Sequence, residues 1–317
     1  QCAAALWLFD PAAGTAHPVP LEVPAARMQT APRAVDAAAH LGGARLHPQG
    51  HSVALEVRGK AVSFGLWEGA ARQHGQADGV RYRHAQWLAD GRTLVMVSDD
   101  GDDREERVEL HRPDGFSVLP WPAASLGRVV ELRAAPRGDH VALANHRNEL
   151  WIGDTGNGQL KRADHSDAGR IDDLAWSPCG GWLAYACWTS GRHRAIRLLE
   201  LASGRVVAAT TPEFHDWSPA FDPAGRWLYF LSNRTFDPVY DSLQFELSFP
   251  RGARPYALLL RADAASPFEP APQGLKPAKD ADPAGVPPGG LTRIDLDGLA
   301  RRVLPFPVPE GRFGRIA

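Results

Sequence analysis

The chain has 317 residues, of which 44% are hydrophobic, and its 35 basic and 37 acidic residues give a formal net charge of −2. This near balance argues against nucleic acid or an anionic membrane surface as a partner, and no apolar run reaches the roughly 20 residues that a membrane span requires. The three cysteines are too few for a disulfide framework. Cys179 and Cys187 lie too far apart along one predicted strand to pair, which favours a reducing compartment.

The chain consists of similar units that follow one another. After AALWLFDPAAG at 4–14, which is typical of an outer strand and its turn, five units each contain a tight turn followed by six or seven mostly apolar residues. The turn glycines are Gly50, Gly91, Gly138, Gly180 and Gly225. A repeat of about 40 to 50 residues that is rich in strand formers predicts an all-β propeller, in which each unit is one four-stranded blade.

The strand after each turn is apolar on both faces. WLYFLS at 227–232 is an example, and it is expected to be a middle strand that neighbouring blades cover on both sides. Trp227 should therefore be buried between blades. Trp87, Trp176 and Trp182 recur near equivalent positions, which favours core packing over ligand stacking.

The repeat predicts one propeller domain over residues 1–317. Its blade cores are expected at 35–74, 80–119, 128–163, 170–210 and 215–262. The Pro-, Gly- and Ala-rich segment 264–290 is predicted to be an exposed insertion, and LTRIDLDG at 291–298 resumes the outer-strand pattern in a partial blade, 291–317. About six blades would then be present in an incomplete ring, and its uncovered apolar faces make a homo-oligomer an expected form.

Four stretches resemble a known family more closely than a generic propeller would. They are GLWEGAARQHGQADGVRYR (65–83), ALANHRNEL (142–150), SNRTFDPVYDSLQFELSFPRGARPYALLLRADAASPF (232–268) and LPFPVPEGRFGRI (304–316). These stretches resemble the second, seven-bladed propeller of tricorn proteases, and the resemblance covers essentially the whole chain.

The resemblance implies a large serine peptidase that degrades oligopeptides and is built from two propellers, a PDZ domain and a catalytic domain. Oligopeptide substrates and the PDZ and catalytic domains of the parent chain are the implied partners, and this propeller would guide peptides towards the active site. The cytoplasm is the expected location. The periplasm stays open because the chain begins with Gln1 and no targeting signal can be identified.

No catalytic residue, metal ligand or cofactor site is predicted. The G-x-S-x-G nucleophile pattern is absent, and Ser177 and Ser218 each precede a proline beside a turn. The acidic stretch SDDGDDREE (98–106) lacks the ligand spacing of an EF-hand, and the 12 histidines show no H-x-H pattern. The nucleophile, base and acid of the resembled family therefore have no counterpart here.

Two sets of candidate channel-face residues follow from the register of the repeat. Eight residues past the turn glycines lie Arg58, Asp99, His146, Trp188 and Asn233, and the next positions are Gly59, Asp100, Arg147, Thr189 and Arg234. Seven residues before the glycines lie His84, Glu131, Asp173 and Ser218. Because equivalent positions share one face of a propeller, the first set should form a polar ring beside the central channel and the second should line it. Such a ring could receive a peptide or dock the next domain, or it could be polar only because any channel mouth is solvated.

Two other functions remain open at this stage. One is a stand-alone propeller that binds partner proteins, and the other is the propeller cap of a prolyl-oligopeptidase-like enzyme. The chain itself is not expected to be catalytic in any of the three cases.

Overall fold

The computed structural model describes residues 6–21, 34–101, 104–235, 238–241, 246–248, 252–268 and 291–316. These residues form 24 strands, one helical turn at Ala123–Leu126 and two short 3-10 turns. The strands make five four-stranded antiparallel sheets and two hairpins. The predicted all-β propeller built from four-stranded blades is confirmed.

The strands follow the chain from blade to blade. A hairpin of β1 (Leu6–Asp10) and β2 (Thr15–Val19) precedes blade 1, which is β3 (Leu41–Leu46), β4 (Ser52–Val57), β5 (Lys60–Gly65) and β6 (Arg72–His74). Blade 2 is β7 (Tyr82–Trp87), β8 (Leu94–Ser98), β9 (Arg107–Arg112) and β10 (Gly115–Val118). Blade 3 is β11 (Val129–Ala134), β12 (His140–Asn145), β13 (Glu149–Asp154) and β14 (Leu160–His165).

The last two blades follow the same plan, with one insertion. Blade 4 is β15 (Ile171–Trp176), β16 (Trp182–Trp188), β17 (Arg194–Glu200) and β18 (Arg205–Ala208). Blade 5 is β19 (Asp216–Phe221), β20 (Trp227–Ser232), β23 (Arg254–Leu259) and β24 (Val303–Pro305). A separate hairpin of β21 (Val239–Asp241) and β22 (Glu246–Ser248) lies between its second and third strands.

The turn that joins the first two strands of each blade depends on its glycine. All five turn glycines have φ between +64° and +77°, a region in which side chains with a Cβ are strained. In four of the turns the glycine N–H donates to the carbonyl three residues earlier, as from Gly225 to Asp222 at 2.7 Å. This geometry explains why the third turn position is glycine in every copy.

The hydrophobic core lies between consecutive blades. Four clusters of buried residues join blades 1 and 2, 2 and 3, 3 and 4, and 4 and 5. Six of the seven residues of β16 are buried, as the two-sided apolar pattern predicts. The expectation for Trp227 was wrong: its ring is only half-buried and lies under the Arg226 guanidinium at 4.1 Å, whereas Leu228 and Phe230 are fully buried.

Inner strands bring each blade against the next. Strand β7 contacts β3 and β11, and β15 contacts β11 and β19. No contact of similar extent joins blade 5 to blade 1 among the described residues, so the ring is not closed, as expected for an incomplete propeller.

The outer strand of blade 5 is not where the sequence pattern put it. The fourth strand is β24, outside the expected core 215–262, and 291–298 contains no strand. The Arg302 side chain accounts for the absence of a strand at 291–298. It donates to the carbonyls of Leu259 and Asp297 at 3.0 and 2.7 Å, so these backbone acceptors are used by a side chain and not by strand pairing. The expected insertion 264–290 lies outside the described residues from 269 onward.

Candidate functional site

One hydrogen bond recurs at the same end of every blade. The residue eight positions past each turn glycine donates its backbone N–H to the carbonyl of the residue directly before the inner strand of the same blade. The five pairs are Arg58 to His40 (3.2 Å), Asp99 to Arg81 (3.2 Å), His146 to Arg128 (2.9 Å), Trp188 to Arg170 (3.2 Å) and Asn233 to His215 (3.1 Å). The first candidate set therefore occupies equivalent backbone positions, at the end where the inner strands begin.

The side chains of this first set differ in what they contact. Asp99 Oδ1 accepts the backbone N–H of Arg81 at 2.7 Å, and His146 Nδ1 accepts that of Arg128 at 3.0 Å. Each side chain thus accepts the N–H of the same residue whose carbonyl accepts its own backbone N–H. Arg58 and Asn233 are exposed, and Arg58 shares with Gly59 a two-residue turn in which both φ angles are positive.

Two of the three arginines of this set, Arg147 and Arg234, turn into their own blades. Arg234 makes two hydrogen bonds to the fully buried Asp216, at 2.8 and 2.9 Å, and its guanidinium lies over the ring of Phe230. Arg147 bonds Glu149 at 3.1 Å. Burial alone would raise the pKa of Glu149, but hydrogen bonds from four side chains, Arg147 among them, lower it to about 2. These geometries suit blade stabilisation.

The inner-strand set sits at irregular positions of the ladder. His84, Asp173 and Ser218 have φ of +57°, +54° and +52°, and each lies within a break in the pairing of its strand with the next. Non-glycine residues rarely adopt this conformation, which persists where surrounding contacts enforce it. Neighbouring inner strands supply such contacts: Asp173 Oδ2 accepts the N–H of Ser218 at 3.0 Å, and Glu131 Oε1 accepts that of Leu174 at 3.3 Å.

Charged side chains converge around the inner strands. Burial and the nearby charges of Arg133 and Arg315 lower the pKa of Arg45, against the opposite effect of Glu56 and Glu131. Residues of blade 1, blade 3 and the segment 311–316 therefore lie within electrostatic reach of one another. Burial raises the pKa of Glu131 although Arg133 binds it at 2.9 Å.

Sequence reasoning missed these arginines. Arg45 and Arg133 each lie five residues before a turn glycine, so the same register count would have found them. Arg315 carries no such signal, and only the path of 311–316 beside β19 brings it here. The His84 side chain lies on inner strand β7, where its burial and the nearby charge of Arg83 lower its pKa to about 4.

A buried serine and histidine in blade 1 lie within hydrogen-bond distance of each other. Ser63 Oγ lies 2.7 Å from His74 Nε2, with both residues under 10% exposed. Burial, followed by Arg72 and His111, lowers the pKa of His74 to about 4. So weak a base, closed off from substrate, suits a structural role. Among the described residues no group of three or more His, Cys, Asp or Glu side chains is placed to hold a metal ion.

A cavity of about 300 Å³ lies between the inner strands of blades 3, 4 and 5. Its lining joins charged and apolar groups, with Arg133, Asp173, Trp176, Ser218, Phe221 and Arg315 among them. Of the candidate channel-face residues, Asp173 and Ser218 line this space. No helix of the described part is long and apolar enough to cross a membrane.

A family model for the tricorn protease second beta propeller domain matches residues 41–317. The chain belongs to this family. It is 36% identical to tricorn protease homolog 1 of Streptomyces coelicolor, over 98% of this chain and 30% of the relative. It is 31% identical to the tricorn protease homolog of Saccharolobus solfataricus, over the whole chain and 27% of the relative.

The tricorn fold is also seen in a solved structure. The crystal structure of the tricorn protease superposes with a TM-score of 0.69 at 20% identity, covering 98% of this chain and 29% of that one. The chain thus spans less than a third of the length of these relatives. The tricorn resemblance seen in the sequence is confirmed, and the activity of a whole tricorn protease enters below as a proposal.

Proposed function

We propose that this propeller is a noncatalytic part of a tricorn-type serine peptidase and serves as a gate or scaffold for oligopeptides on their way to an active site elsewhere in the parent protein. The PDZ and catalytic domains of that protein are its proposed partners, and the cytoplasm its proposed location. Family membership supports the parent activity.

The convergence of charged side chains on the inner strands carries the proposal. Arg45, Glu131 and Arg133 come from two blades that are not adjacent, yet their charges interact. A passage lined by both signs of charge, with apolar surface beside it, can hold the backbone amides and mixed side chains of peptides without selecting one sequence. The side chains of Asp99, His146, Arg147 and Arg234 form hydrogen bonds or ion pairs within their own blades, so we assign them to stabilising the blades around this passage.

Two measurements test the proposal. Fluorogenic oligopeptides and a serine-directed covalent probe should show neither turnover nor labelling with this chain alone, since the G-x-S-x-G pattern is absent and the Ser63–His74 pair is buried. A photoreactive oligopeptide should crosslink to inner strands β3, β7, β11, β15 and β19. Crosslinks confined to outer strands, or turnover that a serine substitution in this chain abolishes, would contradict it.

A further inference from the structure

One end of every blade carries a basic residue at the same position. The residue directly before each inner strand, whose carbonyl accepts the recurrent hydrogen bond, is His40, Arg81, Arg128, Arg170 or His215. Each of them lies ten residues before its turn glycine. The chain has 35 Lys and Arg and 12 His among 317 residues, so about one position in seven is basic. Five basic residues at five equivalent positions exceed what this composition predicts, and we call them the basic row.

The fold does not require a basic side chain at these positions. The backbone carbonyl makes the recurrent hydrogen bond, and every residue type supplies a carbonyl. The side chains of His40, Arg81, Arg128 and Arg170 are exposed, and they form no hydrogen bond or ion pair within the described part of the chain. Exposed side chains of this kind contribute little to stability. Their shared charge is therefore available to a partner outside this chain.

The three arginines supply the permanent charge of the basic row. A guanidinium stays protonated at any physiological pH. His215 is half-buried, and its burial, followed by the charge of Arg194, lowers its pKa and favours the neutral ring. At neutral pH the row thus presents lasting positive charge from blades 2, 3 and 4, at the end of the arc where the inner strands begin.

The spacing of the basic row favours a polypeptide over a nucleic acid. Each blade contributes one basic position, and sheets that pack face to face lie about 10 Å apart. Duplex DNA carries one negative charge per about 1.7 Å of its axis and is usually met by dense clusters of Lys and Arg. Exposed Glu105 and Asp167 lie in connections at the same end and would repel phosphates. Carboxylates spaced along an extended polypeptide match single charges that lie on separate blades.

We propose that the basic row is a docking surface for an acidic segment of a partner protein, which lies extended across several blades with its carboxylates opposite Arg81, Arg128 and Arg170. An arginine guanidinium can donate two parallel hydrogen bonds to one carboxylate. Each exposed contact is weak, but the chain that links the carboxylates makes the contacts act together. The inference goes beyond the passage of oligopeptides and does not depend on it.

Fluorescence anisotropy with labelled peptides tests the proposal. The probes are six repeats of Glu-Gly-Ser, six repeats of Gln-Gly-Ser and two repeats of Glu-Gly-Ser, all with blocked ends. The long probes can extend over roughly 60 Å and the short one over roughly 20 Å. We expect the long glutamate probe to bind at least about tenfold more tightly than the short one, because linked contacts raise the local concentration of each. The glutamine probe should not bind, and binding of the glutamate probes should weaken as salt is raised.

Matched triple variants localise the site. The test variant replaces the three arginines of the basic row: Arg81→Gln, Arg128→Gln and Arg170→Gln. The control variant removes the same charge from three exposed arginines at the opposite end of the same blades: Arg92→Gln, Arg137→Gln and Arg205→Gln. The test variant should bind the long glutamate probe at least about tenfold more weakly, and the control variant should stay within about twofold of the wild type. Both should unfold near the wild-type midpoint, since all six side chains are exposed.

Four outcomes would overturn the proposal. They are no binding of the long glutamate probe at low salt, equal loss from both triple variants, and a difference of about threefold or less between the long and short glutamate probes, which the ratio of their carboxylates alone would give. The fourth is tighter binding of a single-stranded DNA of matched length that the test variant loses, which would assign the row to nucleic acid. The photoreactive oligopeptide that tests the passage carries no acidic run, so either proposal can fail without the other.

Discussion

Two strands of this propeller carry the same kind of sequence and have opposite surroundings. LWLFD in β1 and WLYFLS in β20 are both apolar on both faces. Leu8 and Phe9 of β1 are 67% and 62% exposed, whereas Leu228 and Phe230 of β20 are fully buried. A strand that is apolar on both faces therefore requires cover on both faces, but whether it is buried depends on the blades that lie beside it.

Alanine substitution of one phenylalanine in each strand tests this comparison and should give the largest difference in stability. Phe230→Ala should lower the free energy of unfolding by about 3 to 5 kcal/mol, because it empties a packed position between blades 4 and 5. Phe9→Ala should change it by less than about 0.5 kcal/mol, since the ring is mostly in water. Denaturant unfolding measures both, and similar losses from the two variants would show that β1 is covered in solution.

Charged side chains extend the comparison. Arg234→Ala should cost about 3 kcal/mol, because it leaves the fully buried Asp216 without its guanidinium. Arg261 forms an ion pair with Asp263 on the surface, and Arg261→Ala should leave the unfolding midpoint where it is. If the Arg234 variant unfolds at the wild-type midpoint, the hydrogen bond from Ser232 Oγ must be enough to hold the buried Asp216.

Acid should weaken blade 1 through its buried histidine. The pKa of His74 is about 4 in the folded protein and 6.5 when unperturbed, so the unfolded chain binds the proton more readily. This contribution to stability is complete above about pH 6.5 and is lost progressively as the pH falls towards 4. His74→Gln should flatten the fall in melting temperature over that range, with the exposed His17→Gln as the control. An unchanged slope in the first variant would show that His74 does not titrate as its burial demands.

The smallest effect on stability is expected at the exposed hairpin. Leu8→Ser combined with Phe9→Ser should leave the unfolding transition nearly unchanged and should reduce self-association measured by light scattering, because exposed apolar side chains promote it. Matched serine substitutions at exposed Ala12 and Ala13 in the β1–β2 turn serve as the control. Identical scattering from both double variants would assign any association to another surface.

Much of the fold follows from the sequence because its determinants are local. A glycine with positive φ in each turn and a mostly apolar strand after it repeat through all five units, so the order of the strands could be predicted. The outer strand of blade 5 could not, because its position depends on Arg302, which bonds carbonyls some 40 residues away in the chain. The burial of Trp227 could not be predicted either, because it depends on the surface that faces the ring, and the repeat does not specify that surface.

The candidate site, like the fold, has features that the sequence predicts and features that it does not. Counting from the turn glycine places Asp99 and His146 at equivalent positions, and the structure shows the shared hydrogen bond that makes them equivalent. The count cannot say that Arg147 and Arg234 bind carboxylates of their own blades. The count does place Arg45 and Arg133 at equivalent positions, five residues before their turn glycines, but it carries no signal for Arg315.

The hydrogen bond that recurs at the end of every blade marks the boundary between a strand and the connection that follows it. Before this boundary the backbone pairs with neighbouring strands, and after it the number of connecting residues differs from blade to blade. Blade 1 crosses this point with only Arg58 and Gly59, whereas blade 5 uses residues 233–253 for the same connection and still makes the bond. These five connections are therefore the places where foreign segments, such as a fluorescent reporter or an affinity loop, can be grafted with the least disturbance of the blades.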